Sequence, residues 1–292
     1  MKPAPFVYHR PDTLDEALHL VAEHAGEAKA LAGGQSLVPA MNFRLAQPAV
    51  VVDLNRVPAL AGLEAVAGGG LRLGAMARQR ALEHDPTVGR LAPLLAEAMP
   101  LVAHPPIRTR GTLGGSLAHA DPAAELPAVM LALDATFGVR SRAGARTIAA
   151  ADFFLGLFTT ALANDELVVE ATLPPLPPFS GWAVDEVSRR HGDFALAGAA
   201  AVVTLDGRGH VGAVRIGLFG VHDCAVRAVN AEGTLAGEAP TNAAIAAAAH
   251  AAAWRDASPV GDLHASPHYR RHLTDVLVRR VLARAVERAR GA

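Results

Sequence analysis

Two glycine pairs, each followed closely by a serine, constrain this chain more than any other feature. The first is Gly33-Gly34 in "LAGGQSLVPAM" (31–41), and the second is Gly114-Gly115 in "TRGTLGGSLAHA" (109–120). A hairpin needs only one such signal. A doubled one points to backbone that another group must approach closely, or that must take positive φ. Consecutive amides in such a bend can form a concave nest for an anion. Either pair alone reads as an ordinary turn. The two lie 80 residues apart, and each leaves an apolar or strand-like segment. Together they predict two nests closing on one extended polyanion, for which a dinucleotide pyrophosphate is the natural size.

The rest of the chain narrows the classes. Its 292 residues suffice for two domains, or for one large domain with a smaller one attached. A formal net charge of −1 offers no field for nucleic acid, and 4% aromatic residues offer no stacking platform for single strands. The single cysteine, Cys224, cannot make an internal disulfide, a zinc cage or an iron–sulfur cluster, and reads as a buried small residue in a reducing compartment. No leader pattern opens the sequence and no apolar run reaches about 20 residues, so a cytoplasmic chain without a transmembrane segment is expected.

Local patterns predict a mixed α+β chain. "FVYHR" reads as a strand. Thr13 with Glu16 three residues later forms a capping box, opening a helix that carries Leu14, Ala17, Leu18 and Val21 on one face. "AKALAG", "AVVVDL" and "GGGLRLGAM" read as strands, followed by a helix over 87–99 that breaks at Pro100. Residues 100–130, rich in Pro and Gly, read as a long functional loop. "ATFGVRS" and "DELVVEATL" are strands. Pro174, Pro175, Pro177 and Pro178 in "LPPLPPFSG" (173–181) then mark a stiff connector between domains. Beyond it lie the strands "WAVDEVSRR", "ALAGAAAVVTL" and "VGAVRIGLFGV", the last two joined at Asp206-Gly207. Helices follow over 225–236, 242–256 and 268–290, the last with Leu273, Val276, Leu277, Val281 and Leu282 inward.

"AGGQSLVPAMNFRLAQPAVVVDLNRV" together with "IRTRGTLGGSLAHADPAAELPA" resembles the FAD-binding medium subunit of the molybdenum hydroxylases, the group of xanthine dehydrogenase and carbon monoxide dehydrogenase. The likeness extends through "RRHGDFALAGAA" (189–200) to the final helices. It implies a two-lobed FAD-binding domain over 1–175, with lobes of roughly 1–57 and 58–175. A C-terminal domain of a small antiparallel sheet with three helices would follow over 180–292. On the family pattern, Ala32, Gly33, Gly34, Gln35 and Ser36, flanked by Leu31 and Leu37, would wrap the pyrophosphate from the first lobe. Gly111, Thr112, Gly114, Gly115 and Ser116 would do so from the second, with backbone amides as the donors. Glu125 matches an acidic position that reaches the FAD chain, Val102 and Leu162 match apolar positions near the flavin, and Phe194 matches the residue covering one face of its ring. Relatives carry a lysine a few residues before the "GD" pair. This chain has Asp185, Glu186 and Ser188 there, with Arg189 and Arg190 just after.

Other chemistries fit less well. Ser36 lacks the glycine that a nucleophile elbow places two residues on, since that position is Val38. His119, Asp121 and Glu125 lack a metal-ligand spacing, and a loop-ordering role suits His119 and Asp121 better. The resemblance therefore implies an oxidoreductase subunit that holds FAD and transfers electrons, with no catalytic side chain of its own. The molybdenum-pterin cofactor would reside on a large partner chain and two [2Fe–2S] clusters on a small one, in a dimer of heterotrimers. A self-sufficient FAD oxidase or reductase, and an assembly protein without flavin, are the alternatives.

Overall fold

The structure is a computed structural model and describes residues 2–291. In the first lobe, β1 (Val7–His9), α1 (Leu14–Glu23), β2 (Ala28–Leu31), α2 (Leu37–Asn42) and β3 (Val50–Asp53) form a parallel sheet in the order β1-β3-β2. The α1 capping box is present on both sides, and Ala17, Leu18 and Val21 are buried. Strand β3 is buried at every position, as a central parallel strand must be.

The second lobe holds a five-stranded antiparallel sheet. In chain order its elements are β4 (Leu63–Ala65), β5 (Leu71–Gly74), α3 (Gln79–His84), α4 (Pro86–Leu91), α5 (Pro93–Ala98), α6 (Pro105–Arg110), α7 (Leu113–His119), α8 (Glu125–Ala132), β6 (Thr136–Arg140), β7 (Ala145–Ala149), the hairpin of β8 (Phe154–Gly156) and β9 (Thr159–Thr160), and β10 (Leu167–Leu173). The sheet order is β4-β5-β10-β6-β7.

Two expectations fail in this lobe. The helix over 87–99 is divided at Pro93, which lacks the N–H that would continue α4 and instead opens α5. Asp85 caps α4 through the amides of Thr87 (2.7 Å) and Val88 (3.3 Å). The supposed loop 100–130 is largely helical. Pro105 and Pro106 occupy the first turn of α6, Thr112 caps α7, and every residue of α8 is buried. Prolines at helix starts look the same in sequence as prolines in loops.

After the extended proline stretch, β11 (Ser180–Ser188), β12 (Ala195–Leu205), β13 (Val211–Phe219) and β14 (Val226–Arg227) form an antiparallel sheet, followed by α9 (Val229–Leu235), α10 (Asn242–Ala251) and α11 (Pro267–Gly291). Strand β12 is buried on both faces. Ala199, Ala201 and Val203 join the core under α9–α11, while Ala200 and Val202 join the core of the second lobe around α8. That alternation explains an alanine-rich strand, because small side chains let helices pack closely on both sides. On α11 the inward positions include Leu273, Leu277, Val281 and Leu282 as expected. Val278 is buried in place of Val276, which is half-buried.

Candidate functional site

The two glycine bends meet. An added Cβ on Gly33 would strike the carbonyl oxygen of Arg110 and lie 2.8 Å from the Gly111 Cα, so the first bend packs directly on the backbone that enters the second. An added Cβ on Gly115 would lie 3.4 Å from the Ala32 Cβ. Each bend follows a short element, β2 before the first and α6 before the second, and each leads into a helix.

Their backbones differ in what they leave free. Among the described residues, the amides of Ala32, Gly33, Gly34, Gln35, Ser36 and Leu37 donate to no protein acceptor. Meanwhile the carbonyls behind them are held: Ala32 accepts from Asn55 Nδ2 (2.9 Å), Gly33 from Gln35 Nε2 (3.3 Å), and Gly34 from the Val38 amide (3.1 Å). In a planar trans peptide the N–H points opposite to the C=O, so anchoring these carbonyls turns the amides of Gly33, Gly34 and Gln35 to the other side. Gly34 sits at φ 77°, a conformation that suits glycine.

In the second bend most of the amides are already bonded. Leu113 donates to Ala77 O (3.0 Å), Gly114 to Ala75 O (2.8 Å), Gly115 to Thr112 Oγ1 (3.1 Å) and Ser116 to Thr112 O (3.2 Å). Gly114 is glycine because α7 lies against β5's end: an added Cβ would sit 2.5 Å from Ala75 Cβ and 2.9 Å from its oxygen. Of the amide donors expected from this side, those of Gly111, Gly114, Gly115 and Ser116 are therefore engaged within the protein, while that of Thr112 has no partner among the described residues. What this bend offers outward is hydroxyl and surface, from half-buried Ser116 and Gly115.

Two of the remaining candidates, Val102 and Phe194, come from segments that meet at a second junction. Val102 is buried, and Arg108 fixes the turn beside it by donating to Val102 O (2.8 Å) and Ala103 O (3.1 Å). Arg108 is itself clamped by both oxygens of Glu83 (2.9 and 3.1 Å), and that guanidinium holds the Glu83 carboxyl below the usual range. Gly192 of the "HGDF" segment packs on His104 and on Ala103 O, which brings the segment carrying Phe194 to the Val102 turn. Phe194 is 70% exposed, free to cover a flat ligand. Leu162 lies after β9, half-buried against the second-lobe core, and no hydrogen bond among the described residues ties it to either bend.

Glu125 opens α8 with its side chain buried, and burial together with Asp121 pushes its carboxyl up to about 7. Glu186 faces it electrostatically from β11. Burial first, then the charges of Glu125 and Asp185, push Glu186 to about 8, and its buried Oε2 has no partner among the described residues. Asp121 orders its own turn by accepting from the Ala123 amide (2.9 Å), and the His119 ring packs tilted against Phe158 with centroids 5.0 Å apart. Cys224 is buried, with its thiol pushed up to about 11 by burial and Asp223.

Sequence reasoning missed a polar chain behind the bends. Tyr8 Oη donates to Asp53 Oδ2, Asn55 binds Asp53 Oδ1 through its amide (2.9 Å) and side chain (2.5 Å), and Arg78 Nη2 donates to Asn55 Oδ1 (2.5 Å). Arg78 Nη1 completes it on Arg110 O. Although burial pushes the Asp53 carboxyl up, the hydrogen bonds from Tyr8 and Asn55 leave it below its ordinary value. No periodicity marks these residues, which come from four separate segments.

Comparison with known proteins places this geometry. Residues 4–176 match the family model described as the FAD binding domain in molybdopterin dehydrogenase, and residues 182–285 match the CO dehydrogenase flavoprotein C-terminal domain. The chain belongs to the FAD-binding medium subunits of the molybdenum hydroxylases. It is an oxidoreductase subunit with the α+β flavoprotein fold of that family. It is 45% identical to the 6-hydroxypseudooxynicotine dehydrogenase complex subunit alpha of Paenarthrobacter nicotinovorans, over 99% of this chain and 97% of that one. It is 39% identical to the carbon monoxide dehydrogenase medium chain of Hydrogenophaga pseudoflava, over 97% of each. Among solved structures, the carbon monoxide dehydrogenase of Hydrogenophaga pseudoflava that lacks the Mo-pyranopterin moiety superposes with a TM-score of 0.95 at 40% identity, covering 99% of both chains. Quinoline 2-oxidoreductase from Pseudomonas putida 86 superposes with a TM-score of 0.92 at 39% identity, also covering 99% of both chains. Among the described residues no helix of this medium subunit is long and apolar enough to cross a membrane.

Proposed function

We propose that this medium subunit carries electrons between a molybdenum-bearing large chain and an external acceptor. It would receive them from two [2Fe–2S] clusters on a small chain, within a dimer of heterotrimers. FAD supplies the redox chemistry when bound. This chain's own residues supply position and charge compensation. The amides of Ala32–Leu37 would take the pyrophosphate, with Ser116 and Gly115 facing it from the second lobe and Leu31 and Gly111 backing the two bends. Glu125 would accept from a hydroxyl of the FAD chain, Phe194 would cover the ring, and Val102 and Leu162 would line its edge.

One observation carries the reading: six successive backbone donors have no partner among the described residues where two bends 80 residues apart touch. Oriented peptide dipoles compensate a diphosphate without a lysine or arginine on it. We further propose that the chain divides at the proline stretch into 1–175 and 180–292, and that it works in the cytoplasm. Co-expression with adjacent reading frames tests the assembly, the expected product being a yellow three-subunit complex with oxidised-flavin absorption. A colourless chain indifferent to added FAD refutes the flavin site. A yellow chain that turns over a substrate alone at full rate refutes the partners.

A further inference from the structure

We infer that Arg78 and Asn55 form a clasp that joins the two glycine bends and sets the direction of the phosphate-facing amides, making both of them positioning residues for the cofactor. The inference rests on the flavin reading above and adds a part to it. Asn55 donates to Ala32 O (2.9 Å), Arg78 Nη2 donates to Asn55 Oδ1 (2.5 Å), and Arg78 Nη1 donates to Arg110 O. The clasp thus begins on the carbonyl preceding Gly33 and ends on the carbonyl that Gly33 packs against.

The Ala32 end lies on the side of the backbone away from the free Gly33 amide. Holding Ala32 O fixes the Ala32–Gly33 peptide plane, and with it the aim of the Gly33 N–H. The backbone of Arg78 is tied to the second bend as well. It pairs with Thr112 as an isolated antiparallel bridge, flanked by Gln79 N to Gly111 O and Leu113 N to Ala77 O, each 3.0 Å. A single residue therefore holds the second bend with both its side chain and its main chain, and reaches the first bend through Asn55. Asp53 and Tyr8 lock the far end by holding Asn55 in one rotamer.

The geometry separates this role from simple attraction. Arginine presents a planar fork that serves two acceptors at once, whereas lysine offers a single ammonium head. Arg78 also lines a cleft of about 510 Å³ with Asn55, Val57, Met76 and Leu82, so a lysine there has room and keeps the charge. Arg78→Lys removes the fork and leaves the field.

The test is equilibrium binding to the flavin-stripped full chain, followed by flavin fluorescence. FAD and riboflavin, which has no phosphate, are titrated into the wild type, Arg78→Lys and Asn55→Ala. We expect each variant to bind FAD about tenfold or more weakly while its riboflavin affinity stays within about twofold. We expect the double variant to be little worse than either single one, because both cut the same chain of bonds. Wild-type FAD affinity in Arg78→Lys overturns the clasp and leaves the flavin site standing, and so does an equal loss for FAD and riboflavin. A wild-type chain that binds no FAD overturns the flavin reading itself.

Discussion

Gly33→Ala isolates the contact between the bends. Gly33 does not take positive φ, so alanine meets no backbone strain and the added methyl acts by volume alone. That methyl would sit 2.8 Å from Gly111 Cα and closer still to Arg110 O, both main-chain atoms that cannot rotate away. Carbon atoms rest at roughly 3.5–4.0 Å, so the bends must part by about 1 Å. A donor–acceptor distance of about 2.9 Å stretched by that amount is no longer a hydrogen bond. Losing one amide bond to a charged group costs about 1.5–3 kcal/mol, or roughly ten- to a hundredfold in affinity. Gly33 is half-buried on an open bend, so the flavin-free fold should lose no more than about 1 kcal/mol, a fall in Tm of about 2–4 °C. FAD titration of the stripped protein and thermal unfolding without flavin measure the two quantities separately. Wild-type FAD affinity would refute the joint between the bends. A collapse of the flavin-free Tm would show Gly33 to be a packing residue instead.

Gly114→Ala should behave in the opposite way. Its methyl meets Ala75 at 2.5 Å in a buried contact, so overpacking of about 1–3 kcal/mol should lower the Tm with or without flavin, and an unchanged Tm would contradict the packing. Glu186 and Glu125 retain protons in the fold, to about pH 8 and about pH 7, that the unfolded chain releases earlier. Their contribution to flavin-free stability should therefore be full below the ordinary glutamate value of 4.5 and fall away as pH rises toward about 8. Glu186→Gln should flatten that fall by up to about 1.4 kcal/mol per pH unit, and parallel urea-midpoint curves would refute it. Cys224, buried with its thiol near 11, should resist iodoacetamide at neutral pH in the native chain and react in urea, and rapid native alkylation would contradict its burial.

What was legible in the sequence was local. The Thr13–Glu16 capping box, the buried strand β3 and the Asp206 hairpin depend on residues a few positions apart, and the structure has each of them. The convergence of the glycine bends was legible because two matching signals implied a common object. The helices within 100–130 were not, since Pro105 at a helix start and Gly114 against Ala75 look like loop residues until their partners are known. The Arg78–Asn55 connection was invisible for the same reason. Asn55 and Arg110 lie 23 and 32 residues from Arg78 and share no period with it, so only the folded chain joins them.

The two glycine pairs share a motif and divide the work. Gly33 and Gly34 open a bend whose carbonyls are held from behind and whose amides have no partner among the described residues, so that side offers donors. Gly114 and Gly115 sit in a capped helix whose amides are already paired, so that side gives α7 its close seat on Ala75 and a firm surface for the first bend. A free N–H exposed without an acceptor is costly to bury, whereas one facing an anion gains a charge-assisted bond. A chain built this way holds its donors in place before the ligand arrives, and the ordering cost falls on folding rather than on binding. Gly33→Ala and Gly114→Ala should therefore fail in different assays, although the two residues look equivalent in the sequence.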